Sequence, residues 1–278
     1  SRKVEERLVS ELQTDVSLRV ENTESPDKWV VSGRGELHLS ILIETMRREG
    51  YELQVSRPEV IIKEIDGVAC EPFERVQIDT PEEYQGSIIQ ALSERKGDML
   101  DMQITGNGQA RLIFLVPARG LIGFTTEFMS MTRGYGIMNH TFDQYLPAVK
   151  GEIGGRHRGS LISMDSGQVT SYAMGYVQER GQLFVDAGTE VYGGMIVGEH
   201  SRDNDLTVNI TKMKQQTNVR SSNKDSTSVL NTPKILSLEE SLEFLGDDDY
   251  LEVTPESIRL RKQILDKAMR EKSTKKKK

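Results

Sequence analysis

Cysteine occurs once in these 278 residues and histidine four times. A lone Cys70 excludes an intrachain disulfide and suits a reducing, cytoplasmic compartment. His38, His140, His157 and His200 lie far apart and show no zinc-type spacing with Cys70, so no metal site is expected. No apolar run approaches the ~18 residues that cross a membrane. No basic-then-apolar start resembles a secretory signal. Excess positive charge is also lacking. The net charge is −7, which excludes a protein that coats nucleic acid indiscriminately. Any RNA binding has to use local basic patches. The charge is uneven: residues 259–278 hold ten Lys/Arg against two Asp/Glu, a balance of +8, and the remainder carries −15. The closing Lys275-Lys276-Lys277-Lys278 could be such a patch, but reads first as a solvated, disordered tail.

What is present is a globular composition, 36% hydrophobic and 28% charged, long enough for about two or three domains. Val4, Leu8 and Leu12 make an amphipathic stripe directly after Ser1, with no strand for that helix to pack on. A piece of a longer protein is expected. Residues 15–20 and 29–31 alternate as strands around the turn Ser25-Pro26-Asp27. Leu39, Leu42, Ile43 and Met46 predict a helix ending near Gly50. Residues 51–55 predict another strand, and residues 60–62 an extension of the same sheet.

The following block repeats this order. A strand is expected at 73–78 and a helix through Tyr84, Ile88 and Leu92 to Gly97. A hairpin at 99–104 and 110–116 turns on Gly106-Asn107-Gly108. A helix with Leu121, Phe124, Phe128 and Met131 and a strand at 137–142 complete a βαββαβ, ferredoxin-like unit. Arg34-Gly35, Met46 and Arg48 match Arg119-Gly120, Met131 and Arg133 at an offset of 85, and Gly50-Tyr51 matches Gly134-Tyr135 at 84. The two blocks therefore read as copies of one fold, the first lacking its opening strand. From residue 151 the texture shifts to short expected strands at 161–164, 169–176, 183–185, 190–197 and 206–210, a small barrel-like arrangement. Ser237-Leu238-Glu239-Glu240 is a capping box for a short helix, and Asp247-Asp248-Asp249 a solvated turn. Thr254-Pro255 can open a helix or a strand; the alternation to Arg261 favours a strand, then a helix. The predicted class is α+β: two ferredoxin-like domains, 1–67 and 68–149, and a β-rich domain with short helices, 150–278.

SGRGELHLS, residues 32–40, looks like a phosphate loop but lacks the Walker A pattern, and His38 stands where a dinucleotide fingerprint needs its third glycine. Glu36 sets a carboxylate at the helix start, where an anion would dock. A tight strand-to-helix turn is expected, with Gly33 and Gly35 permitting close backbone approach. His38 has no foreseeable nucleophile or carboxylate beside it, Glu82-Glu83 suit a first helical turn, and Ser160 and Ser163 lack a triad context. No catalytic constellation emerges. Residues 212–228, KMKQQTNVRSSNKDSTS, combine Lys212, Lys214, Arg220 and Lys224 with hydroxyls and amides, suited to phosphate and 2′-OH contacts. Composition alone leaves a plain surface loop equally open. Arg156, His157 and Arg158 form a second, shorter basic loop.

GRGELHL (33–39) resembles the helix start in domain III of elongation factor G, and PARGLIG (117–123) with TRGYG (132–136) resembles its domain V. VYGGMIVG (191–198), HSRDNDLTVN (200–209), TNVR (217–220) and VTPESIRLRK (253–262) are similar to the C-terminal domain peculiar to the BipA/TypA family of translational GTPases. The resemblance covers essentially the whole chain. It implies a cytoplasmic, ribosome-associated, monomeric factor in translation regulation, stress response and ribosome assembly. Its GTPase domain, with GTP and Mg, would lie upstream, leaving a noncatalytic chain. Implied partners are the 70S ribosome, rRNA and the acceptor end of the A-site tRNA, with 23S rRNA contacts and no membrane. The implied RNA-binding residues are Lys212, Lys214, Asn218, Arg220 and Lys224, with Arg156, His157 and Arg158 beside them. A second reading from the residues is a small-molecule-binding regulatory module built from paired ferredoxin-like domains.

Overall fold

The computed structural model describes residues 2–151, 153, 154, 156, 158–213 and 229–276. The chain divides into two compact units: Ser1–Arg57 with His157–Lys278, and Pro58–Arg156. Both are mixed helix and sheet.

The first unit begins with α1 (Arg2–Thr14), the hairpin β1 (Arg19–Asn22) and β2 (Trp29–Ser32), α2 (Glu36–Arg48) and β3 (Leu53–Val55). The stripe foreseen on α1 is real: Leu8 is buried with Leu18, Leu42 and Met46, and Val4, Leu12, Trp29 and Val31 pack around them. Residues 15–18 are not strand. Asp15 forms a turn instead, its carboxylate accepting from the Ser17 amide at 2.9 Å, because a short acidic side chain competes well for local N–H groups.

The second unit opens with β4 (Lys63–Ile65), which forms a hairpin with β5 (Val68–Pro81) through Asp66-Gly67. Residues 60–62, expected in a strand, precede it as irregular chain, and Ile61 and Ile62 are exposed. Next come α3 (Gln85–Glu94), β6 (Asp98–Thr105), β7 (Gln109–Pro117), α4 (Ala118–Leu121), α5 (Phe124–Met131) and β8 (Ile137–Pro147). The main sheet runs β8-β5-β7-β6, all antiparallel, which is the split βαβ order. Period-2 alternation buries Leu112, Phe114 and Val116 of β7 against Ile88, Leu92, Phe124 and Phe128. The helix foreseen at 121–131 is two pieces, separated at left-handed Gly123. The helix ends matched in the proposed internal repeat both turn through left-handed residues. Gly50 after α2 and Gly134 after α5 both have positive φ, 93° and 79°, but the closing pattern is shifted by one residue: Gly50 donates to the Arg47 carbonyl and Tyr51 to Met46, whereas left-handed Arg133 donates to Ser130 and Gly134 to Met129.

The chain then re-enters the first unit with β9 (Ser160–Ser163), β10 (Gly167–Gln168), α6 (Ser171–Val177), β11 (Gly181–Leu183), β12 (Glu190–Val191), β13 (Ile196–His200) and β14 (Leu206–Val208). After residue 229 follow α7 (Leu238–Phe244), β15 (Asp249–Val253), β16 (Ile258–Lys262) and α8 (Lys267–Lys276). Among the described residues the sheets stay open, with orders β11-β13-β9-β14, β16-β15-β3 and β10-β12, so the barrel-like expectation gives way to several small open sheets. The strand foreseen at 169–176 is helix α6. Thr170 caps it by accepting from the Ala173 amide, and Ala173, Met174 and Val177 turn inward at helical spacing. The strand foreseen at 190–197 breaks into β12 and β13 at a turn around Gly193-Gly194. The Ser237/Glu240 capping box and the strand-then-helix ending after Thr254 form as expected.

One pairing was not foreseen. β3 aligns antiparallel with β15, Leu53 opposite Val253 and Val55 opposite Leu251. Ile43 of α2 shares a core with Leu238, Leu242, Leu251, Val253 and Leu260. Residues near the start thus complete the core of residues near the end.

Candidate nucleic-acid interface

The first motif to place is SGRGELHLS. Gly33 is there for space: a Cβ on it would lie 2.7 Å from His38 Nδ1. Gly35 has open space around it and an extended φ of 169°, so the close approach expected there is absent. The Arg34 amide donates to His38 Nδ1 at 3.1 Å. His38 Nε2 therefore carries the proton and donates to Asp15 Oδ2 at 2.5 Å. The carboxylate partner thought missing comes from 23 residues upstream. Asp15 is held down to about 2, chiefly by its hydrogen bonds from Ser17, then by His38. Both imidazole nitrogens are engaged, so this pair clips the loop to the α1–β1 turn. A loop amide turned inward to a histidine is not offered to a phosphate.

Arg119, in the matching motif of the second unit, is likewise structural. It forms a fork on the fully buried Glu71, with Nε at 2.6 Å from Oε2, and donates to the carbonyls of Gly151 and Val149. Arg95 beneath it donates to the Gly120 carbonyl at 2.7 Å and pairs with Glu127.

The basic candidates are distributed as follows. Lys212 is exposed, and its carbonyl accepts from Thr170 Oγ1 at 2.5 Å, so the residue that caps α6 also fixes where the 212–228 segment departs. The far side of the segment is fixed at the other end of the helix. Gln178 Nε2 donates to the Val229 carbonyl at 3.0 Å, and the Asn231 amide donates to Gln178 Oε1 at 2.8 Å. Lys214, Asn218, Arg220, Lys224 and His157 lie outside the described residues. Arg158 is exposed and sits 3.7 Å from Glu199, a surface pair worth under about 1 kcal/mol that leaves its charge available. Arg156 is half-buried and belongs to the second unit, whereas Arg158 belongs to the first.

The turn expected to be solvated is so at exposed Asp247 and Asp248 but not at Asp249, which joins a buried cluster. Lys262 Nζ is buried among three carboxylates, 2.6 Å from Asp205, 2.8 Å from Asp249 and 3.1 Å from Asp248. Asp249 is fully buried. Burial alone would lower the lysine; the carboxylates of Asp249 and Asp205 outweigh it, and its pKa is raised. Asp205 also accepts from the Ser160 amide at 2.7 Å, so the cluster ties the start of β9 to β15 and β16. It is a structural knot rather than a ligand site.

Three family models match the chain in order: Elongation Factor G, domain III over residues 1–57, Elongation factor G C-terminus over 68–153, and TypA/BipA C-terminal domain over 158–267. None of the three descriptions is of a GTPase domain. Curated relatives match all or nearly all of the chain. The large ribosomal subunit assembly factor BipA of Bacillus subtilis is 68% identical over 278 residues, all of this chain and 45% of that protein. The protein of the same name in Haemophilus influenzae is 54% identical over 265 residues, 95% of this chain and 43% of the relative. That of Synechocystis is 50% identical over 262 residues, 94% and 44%. The chain thus spans less than half the length of the curated relatives it matches. By these matches, the two-block α+β fold and the domain that follows it, the chain belongs to the TypA/BipA family.

Proposed function

We propose that this chain is the ribosome- and RNA-binding part of a TypA/BipA translational GTPase that serves large ribosomal subunit assembly. The observation that carries the reading is the order of the three matches, ending in the domain specific to that family. The relatives' shared name, large ribosomal subunit assembly factor, supplies the partner class. We divide the chain at 1–67, 68–149 and 150–278. GTP and Mg are held by a part of the protein outside these residues, which contain no Walker A string. The last domain contacts 23S rRNA and the acceptor end of the A-site tRNA through Lys212, Lys214, Asn218, Arg220 and Lys224, with Arg156, His157 and Arg158 contributing. What supports the loop is its anchoring: both stems are tied to α6, so a cation-rich segment is presented from a fixed base. The protein acts in the cytoplasm as a monomer on the ribosome.

Sedimentation tests this. The chain is spun with purified large subunits, alone and with Lys212, Lys214, Arg220 and Lys224 all changed to Ala. Co-sedimentation that the quadruple variant loses supports the reading. A chain that stays in the supernatant contradicts it.

A further inference from the structure

The loop 212–228 contains no aromatic residue, yet single-stranded RNA is held best where cations are joined to a stacking surface. The structure supplies one at the loop's root. Helix α6 buries Ala173, Met174 and Val177, which leaves Tyr172 and Tyr176, one turn apart, on its outer side. Their rings meet edge to face, centroids 5.0 Å apart at 72°, with the hydroxyls 3.4 Å apart. Tyr176 is 60% exposed, so much of its ring is open to solvent. The helix spans the gap between the two stems, with Lys212 held at its N-cap and Val229 and Asn231 at its C-cap. Exposed Lys212 is tied to the N-cap through its carbonyl, exposed Arg180 follows the C-cap by two residues, and Glu179 is an acid near Tyr176. Edge-on support from Tyr172 orders the Tyr176 ring before anything binds, which lowers the ordering cost of stacking.

We propose that Tyr176, braced by Tyr172, is a stacking platform for one unpaired base of large-subunit rRNA. The proposal rests on the RNA-binding reading above and adds to it a base-contacting residue outside the basic loop. Cations hold the backbone on either side, while the tyrosine face takes any base, since every base offers a π-face.

The test uses the full 278-residue chain and a short single strand of large-subunit rRNA sequence carrying 2-aminopurine, whose fluorescence falls on stacking. Tyr176→Ala is expected to bind about tenfold more weakly and to lose the quench. Tyr176→Phe keeps both, because only the ring is needed. The same sequence annealed as a duplex binds wild type and Tyr176→Ala alike. If Tyr176→Ala keeps full affinity and quench while Lys212→Ala weakens binding, the platform is overturned and the RNA reading stands. If the wild-type chain binds neither RNA form, both fall. A Tyr176→Ala defect seen with tRNA but not with rRNA overturns the assigned source. A defect confined to a ribosomal protein overturns the nucleic-acid assignment.

Discussion

Lys262 carries a positive charge in a place with almost no water, and it is tolerable only because Asp205, Asp248 and Asp249 surround it. Lys262→Ala would strand the buried Asp249 carboxylate. It is expected to cost about 3–5 kcal/mol, read as a lower midpoint in urea unfolding. The pH dependence has a definite sign. The folded pKa is raised, so this contribution is complete below the unfolded value of about 10.4 and is lost as pH rises through the folded value. Alkaline titration of stability should therefore be flatter in Lys262→Met than in wild type. Asp15 behaves oppositely. Its folded pKa is lowered to about 2, first by Ser17 and then by His38. Its contribution is present above about 3.9 and disappears as pH falls toward 2. Asp15→Asn is expected to lose less stability than wild type over that acid window. An equal slope would show that the clip to His38 contributes nothing.

At the level of elements, α6 shows what periodicity alone conveys poorly. Residues 169–176 contain Val169, Thr170, Tyr172 and Tyr176, all favoured in strands, and a strand was the natural expectation. Thr170 decides otherwise by capping the helix, and the same hydroxyl holds Lys212. Thr170→Ala should cost about 1 kcal/mol. It should also speed tryptic cleavage after Lys212, whose carbonyl the hydroxyl holds; unchanged cleavage there would separate the cap from the loop anchor. Signals that are local in sequence were legible: the Ser237/Glu240 capping box, the turn at Gly106-Asn107-Gly108, and the left-handed cap at Gly50. Signals that depend on a distant partner were not. Asp249 reads as a solvated acid until Lys262 is folded over it. His38 reads as isolated until Asp15 is brought to it. β3 pairs with β15 across roughly 200 residues, beyond the reach of any window-based reading. Of the proposed RNA contacts, the sequence marked the cations but not Tyr172 and Tyr176, whose exposure becomes visible only once α6 is known to be a helix.

Across the whole molecule, residues 58–156 form their own unit with their own core, while residues on either side of them share another. Calorimetry should distinguish the two. Lys262→Ala is expected to lower the melting of the first unit, and Phe114→Ala, a fully buried ring, that of the second by about 3–5 kcal/mol. One shared shift for both variants would mean that the chain melts as a single unit. The proposed function makes RNA the surface the molecule works on, and the hydrogen bonds that tie Lys212, Val229 and Asn231 to α6 are what support placing the contact between them. The most direct test of this account is the salt dependence of binding to single-stranded large-subunit rRNA, compared between wild type and the quadruple Lys212, Lys214, Arg220, Lys224→Ala variant. Each cation that meets a phosphate contributes about −0.7 to the slope of log affinity against log salt. The account predicts that the variant's slope is shallower by about 2–3 and that its affinity is lower at physiological salt. Equal slopes with equal affinities would contradict it.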